Sequence, residues 1–280
     1  MKTHRISLCG VTCSVKEMGD TEAPAVICFH GWLDNLNSFE PLIPYLSNYR
    51  LILVDFPGHG QSDHLPPGMA YHFLDLVYVI QDVIAHFKLA EPIIMGHSMG
   101  GAASTLYSSI SEKVKCLILI EALGPLTVTE DETVALMQKS ITERQWLSSK
   151  SMPRYENIEK ALAVRAHHSN INPDIIRPIV ERGITKLNDG VSWSSDARLR
   201  VASINRLTEK QLLPLLQQIK CPVLLIEADQ GMFGKNPLMH ERKKWLSHLT
   251  TEVLSGGHHV HMEKPKAASA LIQNFIEQHR

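Results

Sequence analysis

The chain has 280 residues, a formal net charge of -1 and 20% charged residues, so nothing in it points to nucleic acid or an anionic membrane as partner. Apolar residues make up 44%, ordinary for a globular protein, and no run approaches the roughly 18 apolar residues of a membrane span. A chain of this length buries about 75% of its unfolded surface without staples. The opening stretch, MKTHRISLCGVTCSVKE, is too interrupted by polar residues for a secretory signal. The five cysteines, Cys9, Cys13, Cys28, Cys116 and Cys221, are an odd number, and three lie in apolar runs. They read as thiols of a reducing compartment, and a cytoplasmic protein is expected.

In chain order, AVICFHG (25–31) and LILVDFPGHG (51–60) read as buried strands ending in glycine-rich or polar turns. YHFLDLVYVIQDVIAHFKL (71–89) has helical spacing, and PIIMGHS (92–98) and CLILIEALGP (116–125) are again strand-like. From Pro125 to Ile219 the strand signal fades and helix-like segments follow one another: TVALMQKSITERQWL, NIEKALAVRAHH, PDIIRPIVERGI and TEKQLLPLLQQI. Alternation resumes with PVLLIEADQG (222–231), and KPKAASALIQNFIEQH (264–279) reads as a final amphipathic helix. Short apolar strands alternating with helices predict an α/β fold with a mostly parallel, doubly wound sheet. The expected division is a core of residues 1–124 and 220–280 with a helical cap inserted at 125–219. In such sheets ligands sit beyond the carboxyl ends of the strands, so the polar strand endings converge on one edge beneath the cap.

Gly96-His97-Ser98-Met99-Gly100 fits G-x-S-x-G between a strand and a helix, the setting of a nucleophile elbow, in which the glycines permit a sharp turn. A serine hydroxyl needs a base. VLSGGHHVHMEKP (253–265) supplies one on a loop before the last helix: His258 directly after two glycines, with His259 and His261 as competitors. These three histidines lack a further ligand set with zinc-like spacing, so no metal is expected. His167 and His168, in the cap, read as surface residues. The backbone N–H groups of Trp32, in FHGWLDN (29–35), and of Met99 are the expected oxyanion donors. Glu121 ends the apolar run Cys116–Ile120, where a buried carboxylate needs a partner such as an imidazole N–H. Asp229 is the alternative acid, and Glu227 lies too deep in its strand. Asp55 reads as an anchor of the Gly58–Gly60 turn, and Asp34 and Asn35 as lining residues at most.

HGW, DFPGHGQSD, GHSMGG and GGHHVHMEKP resemble, in matching order, the motifs of the α/β-hydrolase superfamily, and HGWLDNLNSFEPLIP with RGITKLNDGVSWSSDARL (182–199) resembles its serine hydrolase-like members. The resemblance implies an α/β-hydrolase fold, Ser98 as nucleophile, His258 as base, and Trp32 and Met99 as oxyanion donors, with no cofactor. In most members an aspartate stands three residues past a small residue that ends the strand after the cap. Counting from Ala228 gives Gly231, which has no carboxylate, and Asp229 falls two places early. A carboxylate at position 121 resembles the alternative acid of some haloalkane dehalogenases, and Glu121 is therefore preferred to Asp229. The expected activity is hydrolysis of small to medium carboxylic esters or related acyl compounds with an apolar acyl part, through an acyl-enzyme. Trp146, Trp193, Met232 and Phe233 are candidates to shape its pocket. Acyl transfer, carbon–carbon bond hydrolysis and cofactor-free peroxidation would use the same residues. A non-catalytic ligand-binding protein need not keep both nucleophile and base.

Overall fold

The computed structural model describes residues 1–148, 152–234 and 236–279. Eight strands form one sheet: β1 (Lys2–Leu8), β2 (Val11–Met18), β3 (Ala25–Phe29), β4 (Arg50–Val54), β5 (Ile93–His97), β6 (Cys116–Ile120), β10 (Val223–Ala228) and β11 (Leu249–Leu254). Their order is β1-β2-β4-β3-β5-β6-β10-β11, and every pairing from β4 to β11 is parallel.

Side-chain alternation along these strands feeds two cores. Ile27, Phe29, Ile52, Val54, Ile94, Leu117 and Leu225 face one side, where α1 (Leu76–His86), α2 (Met99–Ile110) and α6 (Glu209–Gln217) cover them. Val26, Cys28, Leu51, Leu53, Met95, Ile118 and Ile226 face the other, against α9 (Pro265–Gln278) and the 3-10 segment Leu36–Tyr45. Burial on both faces explains the unbroken apolar runs and gives the doubly wound architecture expected.

The N-terminal hairpin departs from the sequence reading. β1 and β2 pair antiparallel, and β2 pairs antiparallel with β4. Cys9 (φ 50°) and Gly10 (φ 75°) make the two-residue, positive-φ turn that matches strand twist. These strands carry charged residues on their open face, which hid them from a search for continuous apolar runs.

Between β6 and β10 the chain leaves the sheet. It forms α3 (Thr133–Ser148), α4 (Ile158–Ser169) and α5 (Pro173–Arg182) before α6, and a small sheet of β7 (Arg154–Tyr155), β8 (Ile184–Leu187) and β9 (Gly190–Trp193). The cap is therefore helical with a hairpin in it, which the expectation of helices alone missed. It has its own apolar cluster, Ala161, Leu162, Ala166, Ile176, Ile179 and Val180, which packs on Met262 of α8 (Val260–Glu263) in the core. α7 (Pro237–Lys243) completes the helices. A buried polar clamp helps tie cap to core: Arg182, at the end of α5, donates to Asp55 through Nε (3.0 Å) and Nη2 (2.7 Å) and to Ser14 Oγ at 2.9 Å. The Asp55 carboxylate also accepts from the N–H groups of Gln61 (2.9 Å) and Leu36 (2.8 Å). It thus anchors the glycine turn and the cap together.

All five cysteines are free thiols, and no helix among the described residues is long and apolar enough to cross a membrane.

Candidate active site

Ser98 joins β5 to α2 with φ 50° and ψ -114°, a strained conformation of the kind that costs about 1–3 kcal/mol and clusters at functional positions. Its N–H donates to Ile120 O at 3.0 Å, and its own carbonyl receives the N–H of Ala102 at 2.9 Å. None of the flanking glycines carries a positive φ. A Cβ on Gly100 would enter the Phe29 carbonyl, and one on Gly96 would meet the backbone of Gly101 at 2.5 Å. The sequence reading gave these glycines the turn's conformational freedom. In the structure they permit α2 to lie close on β3 and β5, and the strain sits on the serine.

His258, on the loop after β11, places Nε2 2.9 Å from Ser98 Oγ and Nδ1 3.3 Å from Glu121 Oε2. An Nδ1 facing a carboxylate carries the proton, which leaves Nε2 free to accept from the serine. His97 Nε2 donates to the His258 carbonyl at 2.8 Å and so holds the loop backbone. Burial pushes the His258 imidazole below its ordinary value, the Glu121 hydrogen bond opposes that shift, and nearby His97 adds to it.

Glu121 follows β6 at φ 49° and is fully buried. Its carboxylate reaches across to the end of β10, where Oε1 accepts from Ala228 N–H (2.7 Å) and Oε2 from Met232 N–H (3.0 Å). A Cβ at Gly231 would collide with this carboxylate. A side chain at 231 and the Glu121 carboxylate therefore exclude each other. Asp229 lies on the surface of the same turn and accepts from Gly256 N–H at 3.0 Å, bracing the strand that leads to His258.

The other histidines of the run do not reach Ser98. His259 Nε2 donates to Asp34 Oδ2 at 3.1 Å. His261 is fully buried, and neither ring nitrogen meets a hydrogen-bond partner, so burial holds it well below its ordinary pKa and neutral. His167 and His168 are both exposed, as expected, and His168 also lines a cap-side cavity.

Met99 is the first residue of α2, so its N–H has no intrahelical acceptor. Trp32 stands in the loop after β3, and its indole N–H donates to Leu199 O at 2.9 Å in the cap. Buried His30 supports that loop by donating from Nδ1 to Gly31 O (2.7 Å) and accepting at Nε2 from Phe56 N–H (3.1 Å).

A buried polar cluster beside the site escaped the sequence reading. Asp34, His97 and His259 bring ligand-type atoms within 4.8 Å of one another, and Arg165 of α4 donates to Asp34 Oδ1 at 2.6 Å. Burial would raise the Asp34 carboxyl, but His259, His97 and Arg165 outweigh it and hold it well below the carboxylate range. With a guanidinium already on the carboxylate, the group fits an ion-pair network better than a cation site. HGWLDN contained the signal, a buried-loop aspartate, without its distant partners.

Of the suggested pocket residues, Trp193 lines a cavity of about 370 Å³ under the cap, together with Trp32, Asp34 and Asn35. The Phe233 ring lies 5.7 Å from that of His258. Met232 and Trp146 do not line this cavity and are largely exposed, at 68% and 60%.

A model of the alpha/beta hydrolase fold matches residues 24–162. A serine hydrolase-like protein of Danio rerio is 30% identical over 92% of this chain and 83% of its own. Among solved structures, a hypothetical protein of Pseudomonas aeruginosa PAO1 superposes with TM-score 0.93 at 30% identity over 100% of both chains. The thioesterase domain of the curacin biosynthetic pathway gives 0.87 at 26% over 98% of this chain and 99% of its own. With the sheet order, the serine turn and these likenesses together, the chain belongs to the α/β-hydrolase superfamily and is a hydrolase-type enzyme similar to the serine hydrolase-like proteins.

Proposed function

We propose that the chain cleaves small to medium carboxylic esters or related acyl compounds through an acyl-enzyme on Ser98. His258 Nε2 takes the hydroxyl proton as Oγ bonds to the acyl carbon, and the N–H groups of Trp32 and Met99 receive the oxyanion. The imidazolium then returns that proton to the leaving oxygen as the carbon–oxygen bond breaks. A water, deprotonated by His258, attacks the acyl carbon and releases the acid while Oγ recovers its proton. Glu121 keeps the Nδ1 proton in place and balances the charge of the imidazolium.

The observation that carries this reading is the continuous run of Ser98 Oγ, His258 and Glu121 at 2.9 and 3.3 Å. The thioesterase domain among its structural relatives is named for acyl cleavage, which agrees with it. The free thiols agree with a cytoplasmic setting. The test is labelling by a fluorophosphonate together with turnover of p-nitrophenyl esters. Ser98→Ala should abolish labelling and lower turnover on the order of 10⁶-fold. Undiminished ester cleavage by that variant would reject the mechanism.

A further inference from the structure

The cavity of about 370 Å³ carries chemistry that the proposed acyl-enzyme cycle does not use. Its walls include Trp32, Tyr155 and Trp193, with Trp193 Nε1 donating to Tyr155 Oη at 3.2 Å. Two arginines enter it, Arg165 from α4 and Arg200 from the segment following the cap hairpin. Arg165 gives Nη2 to Asp34, and its Nε is buried without a partner. Arg200 pairs with no carboxylate among the described residues, and its guanidinium meets the Met152 sulfur at 3.8 Å. Asp34 is already shared by Arg165 and His259, so it does not also neutralise Arg200. Arg200 is exposed at the rim of the cavity, and the neighbouring Arg165 lowers its hold on its proton.

Arg165 holds the one carboxylate here, Asp34, and Arg200 brings to the rim of this aromatic-walled hollow a second guanidinium that has none. Guanidinium geometry suits the paired oxygens of carboxylate and phosphate. We propose that this cavity is an anion subsite, in which Arg200 and Arg165 receive a carboxylate or phosphate at the end of the substrate remote from the scissile bond. It rests on the acyl-hydrolase reading for its link to the reaction: Trp32, whose N–H is the proposed oxyanion donor, lines the same hollow. The volume is near the lower end of ligand pockets, about 300–1,000 Å³, which fits a short chain.

The experiment is calorimetric titration of the Ser98→Ala protein with glutarate, its neutral diamide glutaramide, and inorganic phosphate. Glutarate or phosphate should bind about tenfold or more tightly than glutaramide. Arg200→Gln should remove that margin, while Arg200→Lys, which keeps the charge, should keep most of it. The tighter of the two anions identifies the group. Equal binding of glutarate and glutaramide, absence of binding by both anions, or an unchanged margin in Arg200→Gln overturns the subsite. Fluorophosphonate labelling of the wild-type chain separates the two readings. Anion binding without a labelled Ser98 keeps the subsite and rejects the Ser98 acyl-enzyme, and labelling without anion binding does the reverse.

Discussion

Replacing Glu121 by glutamine tests the proposed relay at its least conventional point. The carboxylate accepts from three donors: Ala228 N–H at 2.7 Å, Met232 N–H at 3.0 Å and His258 Nδ1 at 3.3 Å. A glutamine amide offers one oxygen and two donor hydrogens in the same volume. With its oxygen on Ala228, the NH₂ faces Met232 N–H and Nδ1, and the imidazole moves its proton to Nε2. That nitrogen then donates to Ser98 and no longer accepts from it. With the amide reversed, two buried donors face each other at Ala228, costing about 1–3 kcal/mol. The tautomer error in an analogous triad costs about 10⁴ in kcat, or about 5.4 kcal/mol of barrier. We expect Glu121→Gln to lower kcat on the order of 10³–10⁴-fold against p-nitrophenyl esters. The acid limb of its residual activity should also move down in pH, because the hydrogen bond and charge that raise the His258 pKa are gone while burial and His97 remain. Asp229→Asn keeps an acceptor for Gly256 and should alter kcat by about twofold at most, the range of exposed substitutions. A Glu121→Gln enzyme within tenfold of wild type, beside a crippled Asp229→Asn, would refute the assignment of the acid.

In the wild-type chain the active His258 is neutral and burial lowers its pKa from the ordinary imidazole value, so the acid limb of kcat/KM should have its midpoint below that of a free imidazole; a pH–rate profile with its midpoint above 7 would contradict this. Arg182→Ala leaves the buried Asp55 charge without its guanidinium and should cost about 3–5 kcal/mol in urea denaturation; a loss under about 1 kcal/mol would mean that the clamp does not hold the cap. Gly231→Ala drives a methyl into the Glu121 carboxylate and should reduce kcat on the order of 10²-fold, the effect of a misplacement of about 1 Å; unaltered kinetics would show that the carboxylate can yield without harm to the reaction.

The sequence was most readable where one residue's surroundings are its chain neighbours. Strands buried on both faces wrote themselves as apolar runs, so β3 to β6 and β10 were visible. β1, β2 and the edge strand β11 carry a wetter face and were not. Asn188-Asp189-Gly190 is a strong hairpin signal, but the helical segments around it masked the two short cap strands. Contacts over long separations left no local trace: Arg182 meets Asp55 across 127 positions, and Arg165 meets Asp34 across 131. The acid is the instructive intermediate. Gly231 could be counted as a missing carboxylate, and Glu121 noticed as a charge ending an apolar run. Their steric dependence was not countable, because it arises only when β6 and β10 lie side by side. From the end of β6 the Glu121 carboxylate reaches the Ala228 and Met232 N–H groups at the end of β10 and the His258 imidazole. That reach needs glycine at 231. The oddity at 231 and the oddity at 121 are thus one feature, since the Glu121 carboxylate occupies the space that a side chain at 231 would take.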